Sequence, residues 1–224
     1  MDEDVQSRFN SIAAEYEDSR RRFIPDFDNF YQSGIQFLQC DKLEPRVLDL
    51  GAGTGLYAHK LLERYPQAHV TLIDFAENML EIARQIFAGN DNIRYIHDDY
   101  STYDFAGERF DIVMSALSIH HFDDEGKQKI CDMAGSLLYP GGEFLNADLI
   151  AADSEILDNI YCDLQKGHVR RNASDAEYER FVKNLEIDRR SPILPQLGWL
   201  RAAGFTQTDC IFKLNWFAVM YGRK

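Results

Sequence analysis

The sequence predicts an α/β fold built on a mostly parallel sheet, and three observations carry that prediction. Short apolar runs alternate with helically spaced stretches between residues 46 and 149, the pattern of strands joined by helical crossovers. A glycine-rich loop, Gly51-Ala52-Gly53-Thr54-Gly55, follows the first run directly. Near the end of the chain two further runs, 206–214 and 216–221, have a connection so short that it implies an antiparallel hairpin at the sheet edge.

Taken in order, residues 1 to about 41 read as helical. Phe9, Ile12, Ala13 and Tyr16 share one face, and Pro25 opens a second helix through Phe27, Phe30, Tyr31, Ile35 and Leu38. The first strand is expected at 47–50 and its helix at 56–65. A second strand, 70–73, ends in Asp74, and a third, 93–96, leads into His97-Asp98-Asp99-Tyr100. The fourth, 110–114, passes into Ser115-Ala116-Leu117-Ser118-Ile119-His120-His121-Phe122. A helix from 123 to 138 stops at Tyr139-Pro140-Gly141-Gly142, and the fifth strand occupies 143–149.

Residues 153–189 contain no strand. Ile156, Leu157, Ile160, Tyr161 and Leu164 mark the apolar face of one helix, and Phe181, Val182 and Leu185 mark another. Ser174 with Glu177 forms a capping box at the start of the second. Pro192 opens the last helix, through Leu197, Leu200 and Arg201, and Gly204 ends it. The chain therefore reads as one domain, 1–224. Its parts are an N-terminal helical segment (1–41), a core (46–149), a helical insert (150–190) and a closing helix and hairpin (191–224). The N-terminal segment and the insert fall over the carboxyl ends of the strands, where open α/β sheets bind ligands, and are expected to form a lid.

Composition restricts the function classes. Hydrophobic content of 45% and charged content of 27% suit a globular domain. No apolar stretch approaches the ~20 residues that span a bilayer. The first residues, Met1-Asp2-Glu3-Asp4, lack the apolar region of a signal peptide. Cys40, Cys131, Cys162 and Cys210 stand apart and read as reduced thiols, which points to the cytoplasm. The net charge of −13 repels phosphate backbones, so a small-molecule substrate is favoured over nucleic acid. Arg20-Arg21-Arg22, Arg170-Arg171 and Arg189-Arg190 are local exceptions, read as solvated patches or ion pairs. A homodimer is left open.

The glycine loop is of the nucleotide-binding kind, and two versions compete. In the dinucleotide fingerprint G-x-G-x-x-G the third glycine allows close helix–strand packing. Here it comes one residue early, at Gly55, and Leu56 occupies its place. Asp49 also stands where a dinucleotide loop has an apolar residue, and a carboxylate there can accept from an ammonium group that a dinucleotide lacks. D-L-G-x-G-T-G resembles motif I of the class I S-adenosylmethionine (SAM) methyltransferases. The resemblance continues in order through Asp74 with Phe75-Ala76-Glu77-Asn78-Met79-Leu80, the acidic loop at Asp98-Asp99, the stretch 115–122 as motif IV, and Pro140-Gly141-Gly142.

That resemblance implies a Rossmann-like sheet of seven strands with the last antiparallel, SAM as cofactor and S-adenosylhomocysteine as its product. It places Asp49 on the methionine ammonium, with Gly51, Ala52 and Gly53 giving close backbone approach. Asp74, followed by Phe75, would hold the ribose, and Met79 would pack on the adenine. Asp99, or its neighbour Asp98, would accept from the adenine N6 amino group beside Tyr100, and Ser115 in motif IV would lie under the transferred methyl group. The chain looks like methyltransferases of type 11/12. It is also similar in layout to the carboxy-SAM synthase that supplies tRNA wobble-uridine modification, in which an arginine of the insert binds the carboxylated sulfonium. Arg170, Arg171, Arg180, Arg189 and Arg190 lie in that stretch. A non-catalytic SAM-binding regulatory protein is a further alternative, and Asp49 and Gly55 both oppose a dinucleotide oxidoreductase.

Methyl transfer chiefly requires a nucleophile held in line behind the methyl group, and a base only when the nucleophile arrives protonated. His120 and His121, next to motif IV, are the candidate catalytic residues. His59, His69, His97 and His168 are scattered, so no metal site is expected. Tyr16, Arg20, Tyr161, Arg170, Arg171 and Trp199 are the candidate substrate contacts, a set suited to a planar or anionic acceptor.

Overall fold

The computed structural model of the chain describes residues 18–185 and 188–224. In order its elements are α1 (Phe27–Phe37), β1 (Arg46–Leu50), α2 (Leu56–Arg64), β2 (His69–Asp74), α3 (Glu77–Ile86), β3 (Ile93–His97) and β4 (Phe110–Ala116). A 3-10 turn (Ile119–His121), α4 (Asp124–Leu137), β5 (Leu138–Leu149), α5 (Glu155–Asn172) and α6 (Asp175–Asn184) follow. The chain closes with α7 (Ile193–Ala202), β6 (Gln207–Leu214) and β7 (Phe217–Arg223).

The strands form one seven-stranded sheet in the order β3-β2-β1-β4-β5-β7-β6. Strands β1 to β5 pair in parallel, and β7 runs antiparallel to both of its neighbours. The chain winds outward from β1 to β3 and then returns to β4, so the order reverses between β1 and β4. In such a sheet the crevice beyond that reversal is the binding position.

Alternation along the strands sends successive side chains to opposite faces. Val47, Leu72 and Met114 pack with Phe30, Leu61 and Leu80 of α1, α2 and α3. Leu48, Leu50 and Val113 pack on the other face with Ile130 of α4 and Leu197 of α7. Asp49 interrupts the first of these apolar faces at its carboxyl end and is buried.

Two sequence expectations need correction. The break at Pro140-Gly141-Gly142 lies inside β5: Leu138 pairs with Phe110 and Glu143 with Ile112, so residues 139–142 bulge from the ladder. Gly141 takes φ 80° there, and its amide donates to the Lys224 carbonyl. Helix α5 forms, but the apolar face expected to pack is turned outward. Ile156, Leu157, Ile160 and Leu164 are exposed, while Gln165 and Val169 are the buried residues. The Gln165 amide donates to the Phe23 carbonyl at 2.6 Å, which locks that opposite face to the N-terminal segment. Among the described residues no helix is long and apolar enough to cross a membrane.

Candidate active site

Two adjoining cavities open at the carboxyl ends of the strands. The smaller, about 210 Å³, is lined by Asp49 and the glycine loop, by Asp74, Phe75 and Met79, and by Ser118. The larger, about 480 Å³, is walled by Phe23, Phe181 and Trp216, with Arg180, His120 and Asp188 among its polar groups. Arg20, Leu117 and His121 line both cavities.

The smaller cavity is shaped by backbone. Gly51 (φ 66°) and Gly55 (φ 78°) adopt the left-handed conformation that favours glycine. A Cβ on Gly51 would stand 2.0 Å from Ser118 Oγ, and one on Gly55 would stand 2.5 Å from the Phe87 ring. The early third glycine therefore serves packing after all, through Phe87 of the α3 end. Asp74 braces the loop: its carboxylate accepts from the Gly53 amide at 2.7 Å and from the Ala76 amide at 2.8 Å.

Asp49 is the ionisable acid of this cavity left unsatisfied, alongside the hydroxyls of Thr54 and Tyr57. It is buried, and neither carboxylate oxygen has a hydrogen-bond partner. Burial, followed by the charge of Asp74, pushes its pKa well above the carboxylate range, while the Ala58 backbone amide works the other way. Such a group awaits a donor, ideally a cation.

His120 is buried on the wall of the larger cavity, where Asp148 takes hold of it twice. One Asp148 oxygen lies 2.5 Å from His120 Nδ1, and the other accepts the His120 backbone amide at 2.9 Å. Burial works against its imidazolium, but Asp148, joined by Asp188, outweighs burial and raises the pKa to about 9. The His121 ring lies beside it, tilted by 48° with ring centroids 4.0 Å apart, and stays half-exposed. Burial and the neighbouring His120 charge lower its pKa. Leu117, at the junction of the cavities, holds φ 52°, a strained value for a side chain branched at Cγ.

Of the residues read from sequence, Asp49, Gly51, Ala52, Gly53, Asp74, Phe75 and Met79 come together in the smaller cavity, as do Arg20 and His121. Several do not. Ser115 is fully buried and spends its hydroxyl on the Leu50 carbonyl at 2.7 Å, tying β4 to β1. Tyr100 is buried and bonded to Ser118 Oγ at 2.9 Å. Asp98 and Asp99 are exposed and line neither cavity; Asp98 accepts from the Asp99 amide, and Asp99 from the Ser101 amide and hydroxyl.

On the acceptor side, Tyr161 faces Lys213, whose ammonium lies 3.0 Å from its hydroxyl. Arg170 pairs with Asp175 at 3.2 Å and covers the Tyr178 ring, and Arg171 is exposed outside both cavities. Trp199, a residue of α7, packs half-buried against the core on the other face of the sheet. Tyr16 lies outside the described residues.

Sequence reading named Arg180 only among the insert arginines and missed Asp148, Ser118, Trp216 and Asp188. Asp148 ends a fifth strand of apolar neighbours, and its buried charge was the available signal. Asp188 carried none, since it reaches the two histidines only through the fold.

Comparison with known proteins agrees with this geometry. A family model described as a methyltransferase domain matches residues 47–142. The demethylmenaquinone methyltransferase of Clavibacter sepedonicus is 26% identical over 212 residues, covering 92% of this chain and 83% of that protein. The phosphoethanolamine N-methyltransferase of Plasmodium falciparum is 31% identical over 116 residues, covering 52% of this chain and 43% of that protein. Among solved structures, human N-acetylserotonin methyltransferase in complex with SAM superposes with a TM-score of 0.61 at 19% identity, over 88% of this chain and 52% of that one. The chain thus spans about half the length of some relatives and most of another.

Proposed function

We propose that the chain is a class I SAM-dependent methyltransferase, with SAM as its cofactor, and that it methylates a small acceptor with a flat or apolar body and an anionic group. The observation that carries this reading is the meeting of the two cavities at Arg20, Leu117 and His121. The relatives' named acceptors, demethylmenaquinone and phosphoethanolamine, differ chemically, so the acceptor class rests on this chain's own cavity.

Asp49 provides the test of fit for the cofactor. A buried carboxylate without a donor suits the ammonium at the amino-acid end of SAM, and the Gly51–Gly53 backbone beside it leaves room for close approach. Asp74 would accept from the ribose hydroxyls with the lone pairs its two amide bonds leave free. Phe75 and Met79 would face the adenine. When bound, SAM supplies an electrophilic methyl group on its sulfonium.

The chain's own contribution to the reaction is placement. Phe23, Phe181 and Trp216 offer flat apolar surface, Arg20 and Arg180 offer cations, and a volume of about 480 Å³ falls within the range of small-ligand pockets. His121 lines both cavities, beside the place where an acceptor atom would have to lie to face the cofactor cleft. Asp148 fixes the orientation of His120 next to it, and the His121 ring lies against that fixed imidazole.

The decisive experiment is mass spectrometry of small molecules released on denaturing the purified protein, followed by an acceptor screen that reads S-adenosylhomocysteine. SAM or its demethylated product, with turnover on aromatic or heterocyclic acids, is expected. An Arg180→Ala variant should raise KM for anionic acceptors while leaving cofactor affinity unchanged. A carboxylated SAM would move the chain to carboxy-SAM chemistry, and a nicotinamide or flavin nucleotide would overturn the cofactor assignment.

A further inference from the structure

The acceptor cavity contains a second constellation that methyl transfer does not require. His120, His121 and Asp188 each offer one ligand atom, all within 4.8 Å of one another. Asp188 Oδ1 lies 3.5 Å from His120 Nε2 and 3.9 Å from His121 Nδ1. Both separations are long for hydrogen bonds. They approach the edge of a coordination tetrahedron, where metal–ligand bonds of about 2.0–2.2 Å leave neighbouring ligand atoms roughly 3.3–3.6 Å apart.

The surroundings are arranged to hold these groups still. Asp148, 2.5 Å from His120 Nδ1, fixes that nitrogen as a protonated one and turns Nε2 toward Asp188, so that a metal displacing the Nε2 proton would meet its lone pair there. A carboxylate on the far nitrogen is what orients metal-bound histidines generally. The segment carrying Asp188 is pinned to the 3-10 turn, since the Arg189 amide donates to the His120 carbonyl at 3.0 Å. The buried Lys127 ammonium donates to the Arg189 carbonyl and to Ser191 Oγ, the latter at 2.6 Å. The site runs from the buried His120 through the half-buried Asp188 to the exposed His121, and a divalent cation there would take the place of the proton on His120 Nε2. Two imidazoles and one carboxylate suit zinc and its neighbours better than magnesium or calcium.

We propose that His120, His121 and Asp188 bind a divalent ion of the zinc class in four-coordinate geometry, with Asp148 orienting His120 and the fourth position open to the acceptor cavity. The site lies in the larger cavity, and its His121 also borders the smaller one. It would give an acceptor oxygen, nitrogen or sulfur a fixed point of attachment beside Leu117 and His121.

The test uses the full chain, freed of metal with a chelator and titrated with Zn²⁺ alone by calorimetry. One ion per chain is expected, with affinity weakened by at least about tenfold in Asp188→Asn and in His121→Ala, and by roughly 10–100-fold in Asp148→Asn. Substituting Co²⁺ should produce the intense visible absorption of a four-coordinate site, a signature independent of any variant. Asp188→Asn should retain wild-type cofactor affinity, which separates loss of the metal site from loss of the fold. Absence of saturable Zn²⁺ binding, a Co²⁺ spectrum of only weak octahedral type, or unchanged affinity in the His121→Ala/Asp188→Asn double variant would each overturn the proposal.

Discussion

At the scale of the residue, Asp49 sets a stability against a function. Its folded pKa is raised, so the stability associated with it is fully present below the ordinary carboxylate range and is lost as pH rises through the folded value. Asp49→Asn should therefore raise the melting temperature of the cofactor-free protein near neutral pH and flatten its dependence on pH. The same variant should bind SAM at least about tenfold more weakly, the scale of a hydrogen bond to a charged group. In the native chain, affinity for SAM should rise with pH until Asp49 ionises, because only the carboxylate attracts an ammonium. Calorimetry across pH on both proteins checks all three signs. Asp74 behaves differently. Since it already braces Gly53 and Ala76, Asp74→Ala should weaken SAM binding by roughly 1.5–3 kcal/mol and also lower the melting temperature of the cofactor-free protein. Unchanged affinity in that variant would remove Asp74 from the cofactor site. Both aspartates were legible in the sequence, as acids at strand ends beside a glycine loop. The second duty of Asp74, as a brace, was not legible, because it depends on where the Gly53 amide points.

At the scale of the element, α6 is the lightest part of the wall. None of its residues is buried, and it is held at its start by the Ser174–Glu177 capping box and by the ion pair from Arg22 to Glu177 at 2.9 Å. It nevertheless supplies Arg180, Phe181 and Asn184 to the acceptor cavity. Ser174→Ala should cost about 0.5–2 kcal/mol of local helix stability. Its functional consequence should be a higher KM for the acceptor with unaltered SAM affinity, since α6 contributes nothing to the glycine-loop cleft. The capping box was visible in the sequence as Ser174 followed by Glu177, and it formed as read. The apolar face of α5 shows the opposite outcome. Its periodicity identified a helix, but which face would meet the sheet depended on Gln165 reaching the Phe23 carbonyl, a contact between segments far apart in sequence.

At the scale of the molecule, a rigid sheet carries a site roofed by weaker elements. Strands β1 and β4 are central and almost wholly buried, while the roof comes from residues around 19–24 and from α5 and α6. Regions with few buried apolar contacts open at low free-energy cost. Hydrogen exchange should therefore be slowest in β1 and β4 and fast in α6. Addition of S-adenosylhomocysteine should slow exchange at 51–56 and 74–79, and a true acceptor should additionally slow it in α6. Equal protection of α6 by cofactor alone would mean that the roof answers to the cofactor and not to the acceptor.

What the sequence determined by itself is the sheet, the glycine loop and the two acids that flank it. Those features are local: apolar periodicity, positive-φ glycines and strand-end carboxylates are set within a few residues. The antiparallel hairpin at the end was determined in the same way, by the shortness of its connection. Tertiary structure alone decided that Ser115 bonds across to β1, that Asp98 and Asp99 accept from amides of their own loop, and that Tyr161, Arg170, Arg171 and Trp199 line neither cavity. It also brought Asp148 and Asp188 to the two histidines. Side-chain partners across crossovers depend on strand order and helix rotation, which no local pattern encodes, so the cofactor cleft could be read from the chain while the acceptor cavity had to be folded to be seen.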